Sequence, residues 1–345
     1  MTEDLDPLPP ELGVDLYIDS RKDDTAQWTR TSQTARLRPF IEWCEENDVG
    51  TLADLDGRDL YEYRVWRREG NYSGSKVDQL AGTTLKSSMT TLRRFLKFAA
   101  TIEAVPEELY DKVPVPSIEK GGDVSDSSID PERVPPILEY LETYEYASRT
   151  HVILLLLWHC GARTGGIRAL DLRDIDLDGD QPGVEFVHRP ETDTPLKNQT
   201  GGERYNRITP RVARIVQAYL DGPRKDKEDD YGRNPLITTR KGRVSTSCIR
   251  NTLYKVTRPC WLDNGCPHNR EIDECEAVDH TYASKCPSTR SPHDVRKARV
   301  TKYRNDGVPR EVVSDRLDAS EFILDKHYDR ASEREKANRR WKHLR

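Results

Sequence analysis

In the second part of this chain Arg163, Lys197, His293, Arg296 and Tyr328 follow one another in that order. Each residue type suits one task in breaking and remaking a phosphodiester bond. Attack on phosphorus gathers negative charge on the non-bridging oxygens and calls for a nucleophile and a proton for the leaving oxygen. A guanidinium binds two phosphate oxygens with its planar fork and stays charged. A desolvated lysine can deliver a proton to a departing alkoxide. A tyrosine hydroxyl can attack once its proton is drawn off, and the aryl phosphate ester it forms remains energetic enough to be reversed. Singly these residues say little, since a lone His-x-x-Arg is common and a lone loop lysine is usually solvated. In this order and at these separations they point to strand breakage through a covalent tyrosine.

The local context of each residue resembles the tyrosine recombinase (phage integrase) family, Xer-like and of an archaeal, halophilic type. The run Cys160-Gly161-Ala162-Arg163, followed by Asp174-Ile175-Asp176, is similar to the family's first arginine box. Lys197, in Thr194-Pro195-Leu196-Lys197, is similar to the family's β-hairpin lysine. Ser291-Pro292-His293-Asp294-Val295-Arg296 matches His-x-x-Arg, and Tyr328 stands 32 residues after Arg296, the separation expected for the nucleophile. The resemblance covers roughly residues 130 to 335 and, more loosely, the helices before them.

The resemblance implies a site-specific recombinase or integrase acting on double-stranded DNA, with a helical core-binding domain and a catalytic domain clamping the duplex. Tyr328 would attack the scissile phosphate to leave a 3′-phosphotyrosyl link and a free 5′-hydroxyl. Arg163 and Arg296 would hold the non-bridging oxygens, Lys197 would protonate the 5′ oxygen, and His293 would move a proton at the nucleophile or steady the phosphate. A homotetramer on paired sites is implied, with a monomer in solution compatible, and with no cofactor for catalysis, no small-molecule substrate and no membrane partner. The rivals are a type IB topoisomerase-like activity and a catalytically weak or inactive DNA-binding descendant. One position departs from the family pattern: nine residues before Tyr328, where the family has a second His or a Trp, this chain has Ala319, and His327 is the nearby candidate for that role.

The elements that must position these residues read as mainly α with a small β-sheet, an α+β chain. Residues 1–10 read as a flexible tail, 11–115 as a helical core-binding domain, 116–129 as a Pro/Gly/Ser-rich linker and 130–345 as the catalytic domain. Apolar stripes at helical spacing run through Leu37, Phe40, Ile41 and Cys44, then Leu60, Tyr61, Val65 and Trp66, then Leu85, Met89, Leu92, Leu96 and Ala99. Arg93, Arg94 and Lys97 interleave with the last stripe, as a solvated or a phosphate-facing set. Asp130-Pro131 reads as a helix start, with helices at 132–144 and 149–160. Strands at 183–188 and 204–209 flank the Lys197 loop, a helix runs from Val212 to Leu220, and a C-terminal helix occupies 329–345. Arg168 and Arg173 read as ion-pair or phosphate-backbone residues, and Arg299 and Lys302 as DNA-facing or solvated.

Among 345 residues, 33% are charged and 35% hydrophobic, with a net charge of −5. That balance predicts small helical cores under a charged surface, and no apolar run spans a bilayer. The acidic start lacks the marks of a signal peptide, so a cytoplasmic protein is expected. Asp-rich loops such as 171–180 suit a cytoplasm of very high salt, where counterion release drives DNA binding less and an acidic total does not exclude DNA. An insertion at 258–290 holds Cys260, Cys266, Cys275 and Cys286, with His268 as an alternative ligand. Clustered cysteines in a reducing compartment suggest a structural zinc, although no Cys-x-x-Cys knuckle is present and unmetallated thiols are the competing reading. Cys44, Cys160 and Cys248 read as small core residues.

Overall fold

The computed structural model describes residues 5–118, 127–321, 324, 334, 337 and 341. Tyr328 and His327 lie outside the described residues. So does the proposed C-terminal helix, apart from Arg334, Ala337 and Trp341, each helical. The chain divides into two compact units, Met1–Ser125 and Asp126–Arg345. The fold is mainly helical with two small antiparallel sheets, in accord with the α+β expectation. Among the described residues no helix is long and apolar enough to cross a membrane.

The first unit is four helices: α1 (Pro10–Ser20), α2 (Gln27–Glu46), α3 (Gly57–Arg68) and α4 (Gly82–Thr101). The stripe read on α4 is the buried one, with Leu85, Met89, Leu92, Leu96 and Ala99 all in the core and Phe95 added. Phe40 of α2 meets Tyr63 of α3 edge-on at 5.4 Å between ring centroids. On α3 the stripe differs from the sequence reading: Leu60 and Tyr63, three apart, face the core while Tyr61 is exposed. The helix start explains it. Asp56 caps α3 in a reciprocal box with Asp59, which sets the phase of the helix and turns residue 61 outward. Arg93 donates to the Val113 carbonyl at 2.8 Å and so serves the fold, whereas Arg94 and Lys97 are exposed. Within the segment read as a flexible tail, residues 6 and 8 are tied to the unit: Asp6 N–H donates to the Glu103 carbonyl at 3.1 Å, and the Leu8 carbonyl accepts from Leu52 at 2.8 Å.

In the second unit, a one-turn helix capped by Asp130 leads into α5 (Val134–Tyr144), followed by α6 (Arg149–Cys160) and the short α7 (Thr164–Ala169). Every residue of α6 from His151 to Trp158 is buried, the pattern of a helix enclosed on all sides. Strands β1 (Ile175–Asp176), β2 (Gly183–Phe186) and β3 (Arg204–Arg207) form one antiparallel sheet in that order, with Gly183 opposite Arg207 and Phe186 opposite Arg204. Strands β2 and β3 are each two residues shorter than the sequence suggests. His188 leaves the ladder because its backbone N–H turns to Glu203 and its ring Nδ1 accepts from Leu196. Then come α8 (Pro210–Asp221), the hairpin β4 (Thr238–Thr239) and β5 (Gly242–Arg243), α9 (Thr246–Val256), α10 (Pro292–Asn305) and α11 (Arg310–Leu317). Ile129, Ser128 and Ser127, read as linker, belong to this unit: Ile129 is in its core and the two serine carbonyls accept from Arg290 and Lys297.

An ion network props the loops between α7 and β3. Asp171 is 2% exposed and receives Arg233 and Arg243 at 2.7 and 2.6 Å. Arg189 reaches Asp174 at 2.5 Å, and Arg243 reaches Asp229 at 2.6 Å. Two of the aspartates read as solvated loop acid are therefore buried structural partners. Removing one member of such a set strands the others without compensation. Asp171→Ala should lower unfolding free energy by about 3–5 kcal/mol in urea denaturation. A loss under about 1 kcal/mol would mean that the network carries no weight.

Candidate active site

The first arginine box is built by a forced helix stop. Gly161 ends α6 in the left-handed region at φ 58°. A Cβ there would come within 2.9 Å of Leu317 Cγ, so glycine is needed for both the turn and the close approach. The chain then delivers Ala162, buried, and Arg163 as the residue capping α7. The Arg163 Nη1 contacts Asp318 Oδ2 at 2.5 Å, with the two side chains 22% and 10% exposed.

His293 and Arg296 come from the first turns of α10. Ser291 and Asp294 form a reciprocal capping box, with the Ser291 hydroxyl donating to Asp294 Oδ2 at 2.7 Å, and Pro292 opens the helix. Three apart, His293 and Arg296 share a helix face. Arg296 is 1% exposed, and its Nη1 donates to the carbonyls of Gly161 at 2.6 Å and Leu317 at 2.7 Å. His293 is exposed. Desolvation by the packing around it, then the cations Lys297, Arg296 and Lys197, hold its imidazole down at about 4 against the opposing charge of Asp294. At neutral pH it is uncharged.

Lys197 sits exposed in a turn between β2 and β3, beside the buried Leu196. It lies near enough to contribute to the positive field at His293. Its neighbour Asn198 donates to Asp318 Oδ1 at 2.7 Å. The structure thus gathers Arg163, Lys197, His293 and Arg296 around the segment that ends α11. The residues that sequence reading missed are in that segment. Leu317 offers its carbonyl to Arg296, Asp318 engages Arg163 and Asn198, and the Arg316 carbonyl accepts from Arg204 at 2.9 Å and Asn206 at 3.1 Å. Burial pushes the Arg204 guanidinium down to about 10, with Asp318 opposing, which still leaves it charged. The available signal was position: Asp318 directly precedes the departing Ala319.

Ala319 is 6% exposed and packs with Val300, Val313, Leu317 and Leu324. The methyl group at the departing position therefore fills a small apolar cluster. Arg168 pairs with Asp193 at 2.7 Å and Arg173 with Asp171 at 3.4 Å, so both serve ion pairs. Arg299 lies over the rings of Tyr303 and Trp158, at 3.9 and 5.0 Å from their centroids, and Lys302 pairs with Glu132 at 3.1 Å. Both are engaged within the chain.

In the cysteine insertion, the carbonyls of Cys260, Cys266, Cys275 and Cys286 each accept an N–H from three residues on, so each cysteine opens a turn. Burial raises the Cys260 thiol above its ordinary value, and the neighbouring Cys286 and Cys266 add to this against Arg258. His268 Nε2 lies 2.9 Å from the Ser288 hydroxyl. Among the described residues no group of three or more His, Cys, Asp or Glu side chains is arranged to hold a metal ion. Burial pushes Cys44 up to about 12 and Cys160 up to about 11, as expected of inert core thiols, while Cys248 is half-buried.

No protein-family model and no curated protein matches the chain. Solved structures do. The N-terminal domain of a phage integrase/site-specific recombinase from Haloarcula marismortui is 37% identical over 32% of this chain and 99% of its own, with a TM-score of 0.29. An integrase of the Tn1549 transposon, in complex with a circular intermediate DNA, is 14% identical over 98% of this chain and 100% of its own, with a TM-score of 0.65. A lambda integrase dimer bound to a COC′ core site is 12% identical over 95% of this chain and 79% of its own, with a TM-score of 0.62. The last two share the fold across nearly the whole length. Over nearly its whole length the chain thus has the fold of these integrase structures.

Proposed function

We propose that this protein is a site-specific DNA recombinase that cuts and rejoins strands through a 3′-phosphotyrosyl intermediate. One observation carries the reading. Arg163, Arg296 and the Lys197 loop, far apart in sequence, converge on the turn at Leu317 and Asp318, a few residues before Tyr328. The related fold in the Tn1549 and lambda integrases is seen with DNA, which supports duplex DNA as the partner. In this reading Tyr328 Oη attacks phosphorus, the bond to the 5′ oxygen breaks, and the electron pair leaves on that oxygen. Lys197 Nζ supplies its proton. Arg163 and Arg296 balance charge on the non-bridging oxygens. His293, uncharged at neutral pH, takes the tyrosine proton. Rejoining to a partner strand on paired sites calls for a homotetramer and neither a nucleotide cofactor nor a small-molecule substrate.

The workplace proposed is a cytoplasm of high salt. Supporting it are the net charge of −5 and exposed Asp176, Asp178 and Asp180. A structural zinc on Cys260, Cys266, Cys275 and Cys286, with His268 as an alternative ligand, is proposed for the insertion on the strength of the four cysteine-opened turns. Binding would require the thiols to draw together around the ion. Metal analysis should find about one zinc per chain, and none would remove that proposal.

A nicked suicide duplex bearing the cognate site should form a covalent adduct with the wild type and none with Tyr328→Phe. Arg163→Ala and Arg296→Ala should slow adduct formation roughly 100- to 1,000-fold, the usual cost of losing one charge-stabilising donor. Retarded DNA without any wild-type adduct would replace the enzyme reading with that of a DNA-binding descendant.

The depressed His293 value has a definite sign. Its folded value of about 4 lies below the ordinary 6.5. The stability it contributes is complete above about 6.5 and is lost as pH falls toward 4. NMR titration of His293 should give a midpoint near 4, and a midpoint at or above 6.5 would contradict the site's electrostatics.

A further inference from the structure

Asp318 is held in a way that the strand-cutting chemistry does not by itself require. Its φ of 54° places it in the left-handed region, uncommon for a side-chain-bearing residue though tolerated by Asp. Its carboxylate is 10% exposed. One oxygen contacts Arg163 Nη1 at 2.5 Å, and the other accepts from Asn198 Nδ2 at 2.7 Å. A Cβ on Gly202, in the same loop as Lys197, would come within 2.9 Å of Asp318 Oδ2, so the carboxylate sits close against that loop's backbone. One residue earlier, the Leu317 carbonyl holds Arg296. A nearly buried carboxylate paired with one guanidinium and one amide does not leave its site readily. Engagement at Nη1 leaves the remaining N–H groups of the Arg163 fork to face a phosphate.

We propose that Asp318 is a positioning residue that sets the Arg163 guanidinium and the Lys197 loop in register with each other. The inference rests on the recombinase reading above and deepens it. Asp318 touches neither DNA nor the nucleophile in this account. It acts through Arg163 and, by way of Asn198, through Lys197. Displacement of a reacting group by about 1 Å can cost on the order of 100-fold in rate, and the two contacts prevent such displacement on both sides of the scissile phosphate. Because Asp318 adjoins Ala319, the same turn also supplies order near the position where the family's second His or Trp is absent.

The test is single-turnover cleavage of the nicked suicide duplex by the full chain. Asp318→Ala should cleave about 100-fold more slowly while binding the duplex within about threefold of wild type, and Asp318→Asn should fall between the two. In an Arg163→Ala background, adding Asp318→Ala should cost distinctly less than it does in the wild type, because the part that acts through Arg163 is already gone and only the part that passes through Lys197 remains. A duplex whose scissile 5′ oxygen is replaced by sulfur needs no leaving-group proton, so it should recover the part of the Asp318→Ala defect that passes through Lys197. Wild-type cleavage rates in Asp318→Ala, or losses that multiply with Arg163→Ala, would overturn the proposal. A readout without catalysis separates it from the recombinase reading: the Arg163 guanidinium NMR signals should be sharp and distinct in the free wild type and averaged in Asp318→Ala. Averaged signals in the wild type would refute the positioning role whether or not the enzyme cuts DNA.

Discussion

A guanidinium sealed inside a protein must find acceptors on every side it turns, because an unpaired buried cation is among the costliest things a fold can hold. Arg296 meets part of that demand with two backbone carbonyls, those of Gly161 and Leu317. The two carbonyls come from distant parts of the second unit's sequence, one from the stop of α6 and the other from the end of α11. Arg296 therefore works as a rivet through three helices. The glycine at 161 follows from the same contact, since Leu317 could not approach a larger residue there. The first arginine box and the His-x-x-Arg box are thus one construction.

Around that rivet the fold uses charge as scaffolding. The buried Asp171 and Asp174 bind four arginines between them and brace the loops that follow α7, among them the one that carries Arg189. Side-chain acids that an Asp-rich composition would assign to the solvent are thus divided into two populations. Asp176, Asp178 and Asp180 stay in water, where they keep the surface charged, while Asp171 and Asp174 are withdrawn. The positive side chains near His293 exceed what nearby carboxylates neutralise. Desolvation first, and this excess second, lower the imidazole's value, and the excess leaves a region suited to an anion.

How much was legible in the sequence varied by element, for physical reasons. The α4 stripe could be read because burial on one helix face writes a period of about 3.6 into the residues. The α3 stripe was misread at Tyr61 because its phase depends on where the cap at Asp56 starts the helix, a matter of one residue. Strands β2 and β3 were found from composition, but their C-terminal ends were not: His188 leaves the ladder through its bonds to Glu203 and Leu196, and Thr209 caps α8. β1, β4 and β5 are two-residue strands, too short to show any period. Arg299, read as facing DNA or solvent, instead lies on Trp158 and Tyr303, a partnership between helices that no local pattern announces.

The sequence by itself determined the chemical inventory and its order: two arginines, a lysine, a histidine and a tyrosine. Covalent chemistry needs particular functional groups, and these are written directly as residue types. Only the tertiary structure decided which groups share a centre and what holds them there. The Arg163–Asp318 pair spans 155 positions and the Asn198–Asp318 bond 120. At such distances no spacing rule applies, and the pairing follows from how α6, α10, α11 and the β2–β3 loop pack together.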